Sequence, residues 1–229
     1  MKFLRPWAAL WMTVTLGWSW VQADEAPKVI VLGDSLSAGY GLQHPQAGWV
    51  GRLQQRLSRQ GYPHEVVNAS ISGDTSSGGL ARLPRLLQQY RPTLLIVELG
   101  GNDGLRGLKL GRLRDNLGSI VDIARAAGSQ VILVGIRLPP NYGVAFVERF
   151  LGVFQRVAKD RGVPLVNNLL AGFDEDRESM QDDQIHPRDE VQEAMLNNVW
   201  PTLLPLLTPA GESDHRADQG VERAIGQQL

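Results

Sequence analysis

VIVLGDSLSAGYGL, residues 29 to 42, opens on four apolar residues and stops at Gly33-Asp34-Ser35. A short apolar run that ends at a turn signal is the pattern of a strand buried on both faces, as in a parallel sheet. The aspartate and serine placed at once behind it have two readings, a phosphate-cradling turn or the presentation of a nucleophile. A phosphate turn requires G-x-x-x-x-G-K-[ST] or G-x-G-x-x-G. GDSLSAGYG offers no lysine and neither spacing, and Asp34 would repel a phosphate. Neither a nucleotide nor a flavin is expected, and no other cofactor is implied.

Moving outward, the same apolar character returns at Val66-Val67, at Thr93–Leu99 (TLLIVEL), at Val131–Ile136 and at Val163–Val166. Between these runs the period changes to that of a helix: Trp49, Leu53 and Leu57; Leu80, Leu83, Leu86 and Leu87; Leu113, Leu117, Ile120, Val121 and Ala124; then Val144 to Ala158. A last helix is predicted from Pro187 to about Leu207, broken or kinked near Pro201 and Pro205. Strands that alternate with helices predict an α/β domain, a five-stranded parallel sheet between two helical layers. Short right-handed crossovers favour the flavodoxin-like order 2-1-3-4-5.

The two ends differ from this body. Lys2 and Arg5 precede an apolar run that finishes at Val21-Gln22-Ala23, the pattern of a secretory signal over residues 1–23. An exported, periplasmic or secreted product is the expectation. Cleavage there would move the net charge from −1 to −3, since the segment contains no acid. The 229-residue chain has no cysteine, so neither a lipid-bearing cysteine nor a disulfide is available and the fold must hold by its core. Charge is nearly balanced and contains no basic block, which argues against nucleic acid as a partner. A soluble monomer without a stable membrane anchor is expected over residues 24–207, followed by a polar and disordered tail at 208–229.

In an open parallel sheet, ligands bind beyond the carboxyl ends of the strands. Ser35, Gly73, Asn102 and, further on, Asp183 and His186 fall at such ends. A serine hydroxyl is a weak nucleophile and needs a base, usually histidine. Of the four histidines, only His186 has an aspartate three residues before it, in DDQIHP. Asp183 can fix that imidazole, or it can simply cap a surface turn. Gly73 in ISGDTSSGG can bring a backbone N–H to an oxyanion and Asn102 in ELGGNDG a side-chain amide, while a plain turn and an Asx-turn explain them equally. Asp174-Glu175-Asp176 lacks the spacing of a calcium loop, and no metal is expected.

Taken together, GDSLSAGYG, NASISGDTSSGG, VELGGNDGLRG and MQDDQIHP resemble, in order, the four blocks of the GDSL or SGNH hydrolases. IRLPPNYG (136–143) and LARLPRLL (80–87) resemble one branch, exported bacterial enzymes described as thioesterases, lysophospholipases and arylesterases. The resemblance implies Ser35 as nucleophile, His186 as base, Asp183 as its orienting acid, and an oxyanion hole from the Ser35 and Gly73 N–H groups and the Asn102 amide. Asp34 then shapes the turn. It also implies an acyl channel along residues 103–108, with Asp103, Gly104 and Leu105 in contact with substrate, and a second wall at Leu138 and Pro139. The implied activity is hydrolysis of acyl esters and thioesters, small-molecule or lipid, through an acyl-enzyme. A carbohydrate O-acetyl esterase on the same scaffold and a non-catalytic binding module are the competing readings.

Overall fold

A computed structural model describes residues 25–207. The expectations for residues 1–23 and 208–229 lie outside the described residues. Five parallel strands, β1 (Lys28–Gly33), β2 (Glu65–Asn68), β3 (Leu94–Glu98), β4 (Gln130–Val134) and β5 (Leu165–Val166), pair in the order β2-β1-β3-β4-β5. Val29 to Leu32 are fully buried, as a strand covered on both faces requires. The β1–β3 register runs from Val29 opposite Leu94 to Gly33 opposite Glu98, so both strands end together and Asp34 and Leu99 leave the sheet side by side.

Helices α3 (Ser76–Tyr90), α5 (Leu110–Ala126) and α6 (Val144–Arg161) pack side by side on one face. Helices α2 (Trp49–Arg59) and α7 (Gln192–Leu203) pack on the other. The reversal of strand order at β1, in a sheet whose strands all run parallel, forces this division. The β1-α2-β2 connection moves one way along the sheet and all later connections move the other way, so right-handed crossovers put α2 on the opposite face. In α2 the stripe Trp49, Leu53 and Leu57, spaced by four, is fully buried, each side chain contributing about 1.5–3 kcal/mol of burial. The α2 N-terminus lacks a side-chain cap of its own. Gln192 supplies an acceptor instead, its Oε1 receiving the Trp49 N–H at 3.0 Å.

Several element boundaries differ from the expectation, β4 among them, which ends at Val134 rather than Ile136. The fifth strand is only Leu165–Val166, because Pro164 has no N–H to give the ladder and Leu165 lies at the sheet edge. The last helix starts at Gln192 rather than Pro187, since residues 187–188 remain extended and Pro187 pairs with Met180 in an isolated antiparallel bridge. It also continues through Pro201 before tightening to a 3-10 turn at Leu204–Leu206.

Two short helices complete the carboxyl end of the sheet. Helix α1 (Ser35–Ala38) follows β1, and α4 (Gly101–Leu105) follows β3. Among the described residues no helix is long and apolar enough to cross a membrane.

Candidate active site

Ser35 is the first residue of α1. Asp34 caps it, with Oδ1 accepting the Leu36 N–H at 3.1 Å. Gly39, at φ +77°, closes the helix after one turn by donating its N–H to the Ser35 carbonyl. The hydroxyl is thus held at the sheet edge by a cap on one side and a left-handed glycine on the other.

His186 comes from the loop after β5, 151 residues away, and its Nε2 lies 2.8 Å from Ser35 Oγ. Nδ1 lies 2.6 Å from Asp183 Oδ2. With a carboxylate on Nδ1, the ring proton belongs there and Nε2 is left to accept from the serine. Asp183 is itself fixed, since Oδ1 accepts the N–H groups of Ile185 at 2.9 Å and His186 at 3.0 Å. Burial pulls the Asp183 carboxyl upward, but those amides and the imidazole outweigh it and hold it below the usual carboxylate range. Tyr40 places its ring against the same imidazole, centroids 4.4 Å apart.

Gly73 stands in the loop after β2 at φ +79°, a conformation that favours glycine. The loop is tied down on several sides. The Ile71 N–H reaches the Gly33 carbonyl at 3.0 Å, Arg82 binds Asp74 at 2.8 Å, and Arg106 Nη2 donates to the Gly73 carbonyl at 2.8 Å. Asn102 is in α4, where its Nδ2 gives one hydrogen to Asp34 Oδ2 at 3.1 Å and keeps the second free for an oxyanion.

Beneath Ser35 lies a second pair of carboxyls. Glu98 is wholly buried and accepts from the Ser37 hydroxyl at 2.7 Å and from the Asp34 N–H at 3.3 Å, both on Oε2. Its Oε1 has no partner among the described residues. Burial, and then the neighbouring Asp34 charge, push Glu98 well above the usual carboxylate range. Asp34, 2% exposed, is pushed up to about 6 by burial, against the pull of its bonds from Leu36 and Asn102. In the sequence Glu98 is one letter of the apolar run TLLIVEL and marks no site there. A lone acid inside a strand buried on both faces is itself a signal, because an unpaired buried charge is costly.

A cavity of about 720 Å³ opens beside Ser35. Its apolar wall includes Leu105, Ile136, Leu138, Pro139, Tyr142 and Met180. Leu105 thus faces the cavity together with Leu138 and Pro139, and the Tyr142 hydroxyl joins the two segments by donating to the Leu105 carbonyl at 3.0 Å. Two expected contacts require correction. Asp103 is 1% exposed and does not line the cavity. Its carboxylate accepts the Ser76 N–H at 2.8 Å and the Ser76 hydroxyl at 2.6 Å, which pins α4 to the start of α3. Gly104 is also buried away from the cavity, and a Cβ there would come within 2.6 Å of Leu138 Cδ1. It backs the second wall rather than touching substrate. Asp174, Glu175 and Asp176 lie along the far edge of the cavity, where Arg137 pairs with Glu175 at 3.3 Å. No cluster of three or more potential metal-ligating side chains occurs among the described residues.

Comparison with known proteins gives a consistent family. Residues 31–194 match the model of the GDSL-like Lipase/Acylhydrolase family. Esterase TesA of Pseudomonas aeruginosa is 52% identical over 186 residues, covering 81% of this chain and 92% of the relative. Thioesterase 1/protease 1/lysophospholipase L1 of Escherichia coli is 41% identical, covering 81% and 88%. Among solved structures, TesA superposes with a TM-score of 0.77 over 79% of this chain and 99% of that one. The psychrotrophic esterase EstA from Pseudoalteromonas sp., inhibited by monoethylphosphonate, reaches 0.74 at 36% identity, over 78% and 97%. With the matched segment running from β1 into α7, and so through the Ser35 turn and the His186 loop alike, the chain belongs to the GDSL-like lipase/acylhydrolase family.

Proposed function

We propose that this protein is an exported serine esterase that hydrolyses carboxylic ester and thioester bonds of acyl substrates through an acyl-enzyme. The observation that carries the reading is the continuous relay Ser35 Oγ–His186 Nε2, 2.8 Å, and His186 Nδ1–Asp183 Oδ2, 2.6 Å, beside a cavity with an apolar wall. Curated relatives at 41–52% identity are an esterase, an arylesterase and a thioesterase/lysophospholipase, which supports the same class of bond. Export rests on the leader-like residues 1–23 alone.

In this mechanism Ser35 Oγ attacks the acyl carbonyl carbon as its proton passes to His186 Nε2. The imidazolium so formed is balanced by the Asp183 carboxylate. The carbonyl oxygen becomes an oxyanion and is received by the Ser35 and Gly73 N–H groups and the free hydrogen of the Asn102 amide. Collapse breaks the bond to the leaving oxygen or sulfur, which takes the proton back from Nε2. Water then repeats the sequence on the acyl-serine, with His186 again as base and then acid. The cavity volume falls within the ~300–1,000 Å³ usual for small-molecule sites. Its apolar wall suits a medium to long acyl chain.

Ser35→Ala tests the nucleophile, with an expected loss on the order of 10⁵-fold in kcat. An alkylphosphonate should label the parent once per chain and leave the variant untouched. A chain-length series of p-nitrophenyl esters addresses the substrate. Activity confined to acetate would replace the acyl-ester reading with that of an O-acetyl esterase.

A further inference from the structure

Ser35 and His186 sit on separate segments, and their alignment needs something other than their own 2.8 Å contact. The histidine loop leaves the end of the sheet and is mostly exposed between Asp182 and Ile185. We infer that Gln181 is a positioning residue for the reaction, a latch that closes the histidine loop on itself and ties it to the turn presenting Ser35.

Four bonds carry the inference. The Gln181 N–H donates to the His186 carbonyl at 2.7 Å, across the base of the loop. The Gln181 carbonyl accepts the Gln184 N–H at 2.9 Å, inside it. The side-chain Nε2 then donates both its hydrogens, one to the Pro187 carbonyl at 3.0 Å and one to the Tyr40 carbonyl at 2.9 Å. Among the described residues, the bond to Tyr40 is the one hydrogen bond besides Ser35–His186 that joins residues 35–42 to residues 180–188. Tyr40 in turn lays its ring on the imidazole, so the backbone that Gln181 holds is the backbone that places this ring.

The same contact explains the second glycine of AGYG. Gly39 is the helix cap. Gly41, at φ +72°, leaves room for the latch, for a Cβ on it would lie 2.0 Å from Gln181 Oε1. Gln181 does not line the acyl cavity. It faces an open groove on the other side of the histidine loop, lined by Tyr40, Gly41 and Leu42. Its loss should therefore loosen His186 without altering the acyl-binding walls.

Gln181→Met keeps the length and removes both donors, while Gln181→Glu keeps the shape and sets a carboxylate against two carbonyl oxygens. Against p-nitrophenyl butyrate, with active sites titrated by an alkylphosphonate, both variants should lose about 10- to 100-fold in kcat, since small misplacements of a catalytic group cost that much. KM should stay within about twofold, because the contact concerns the base rather than binding. Acylation and deacylation use the same His186, so the loss appears in kcat whichever step limits. Gly41→Ala should cost about as much, and the Gly41→Ala/Gln181→Met double variant little more than either single, because both changes break one contact. A purely structural role would lower the number of titratable sites or the melting temperature while each remaining site kept its parental kcat, and that result would overturn the inference. So would a loss confined to KM, or fully additive singles. The inference rests on Ser35 and His186 acting as a pair. Failure of that pairing would be registered by Ser35→Ala and by phosphonate labelling, whereas parental turnover in the Gln181 variants would remove the latch alone.

Discussion

Asp183 and Asp34 approach the same serine and histidine from opposite sides, one at the rim and one in the floor. At the rim, the Asp183 side chain is 39% exposed and takes two backbone N–H groups and an imidazole. In the floor, Asp34 is enclosed with Glu98 and shares its oxygens between a helix N-terminus and the Asn102 amide. The rim keeps its carboxylate ionised throughout the working range. The floor raises both carboxyls, Asp34 to about 6 and Glu98 well above the ordinary value, with burial as the main cause in each. Identical functional groups thus serve two purposes. A charge that must balance a transient imidazolium is set where amides and water support it. A carboxyl that must hold shape is set where burial favours its proton.

The sharpest way to break this contrast is Asp183→Asn, which leaves the geometry but favours the wrong tautomer of His186. A loss of about 10⁴-fold in kcat is expected, measured by steady-state hydrolysis of p-nitrophenyl butyrate. A loss below tenfold would mean that the rim carboxylate merely caps a turn. Next comes Asn102→Ala, which removes the amide that the floor aims at the oxyanion. It should lower kcat by about 10²- to 10³-fold with little change in KM.

Asp34→Asn tests the floor itself and should cost on the order of tenfold, since Asn has one acceptor oxygen where Asp34 uses two, and its NH2 group meets the Asn102 donor so that this charge-assisted bond is lost. Its larger signature is in pH dependence. Asp34 has a folded pKa raised above its unfolded value, so its stabilising contribution is full below about 4 and disappears as pH rises through about 6. That change is about 3 kcal/mol by linkage, so the parent should lose more melting temperature between pH 4 and pH 7 than the variant does. If Asp34→Asn proved as damaging to kcat as Asp183→Asn, the floor would belong to the reacting machinery.

The smallest effect sharpens the contrast most. Glu98→Gln keeps an oxygen acceptor for Ser37 and Asp34 and puts a neutral group where burial disfavours a charge, so activity near pH 7 should remain within about threefold of the parent. A large loss would mean that Glu98 works as an anion.

Much of the site was legible because it depends on short-range chemistry. The cap Asp34 and the hydroxyl of Ser35 announce themselves by residue type at the end of β1, and the Asp183–His186 pair that meets this hydroxyl does so by its three-residue spacing. Asp103 misled for the same reason. It stands next to Asn102 in sequence, but one residue along a helix turns a side chain by about 100°, so it faces Ser76 rather than substrate. Gln181 left no mark at all, because a glutamine acquires a role only through the carbonyls brought to it.

The alternation of strands and helices, and with it the sheet order, follows from the order of residues alone, because apolar period and crossover handedness are local and chiral constraints. So does the set of residue types able to meet at the carboxyl edge. Which of them do meet is set by packing. The proton state of the floor depends on Glu98 and Asp34 losing water together, and the alignment of Ser35 with His186 depends on loops 151 residues apart. Desolvation and long-range contact are properties of the packed chain, and no short stretch of residues carries them.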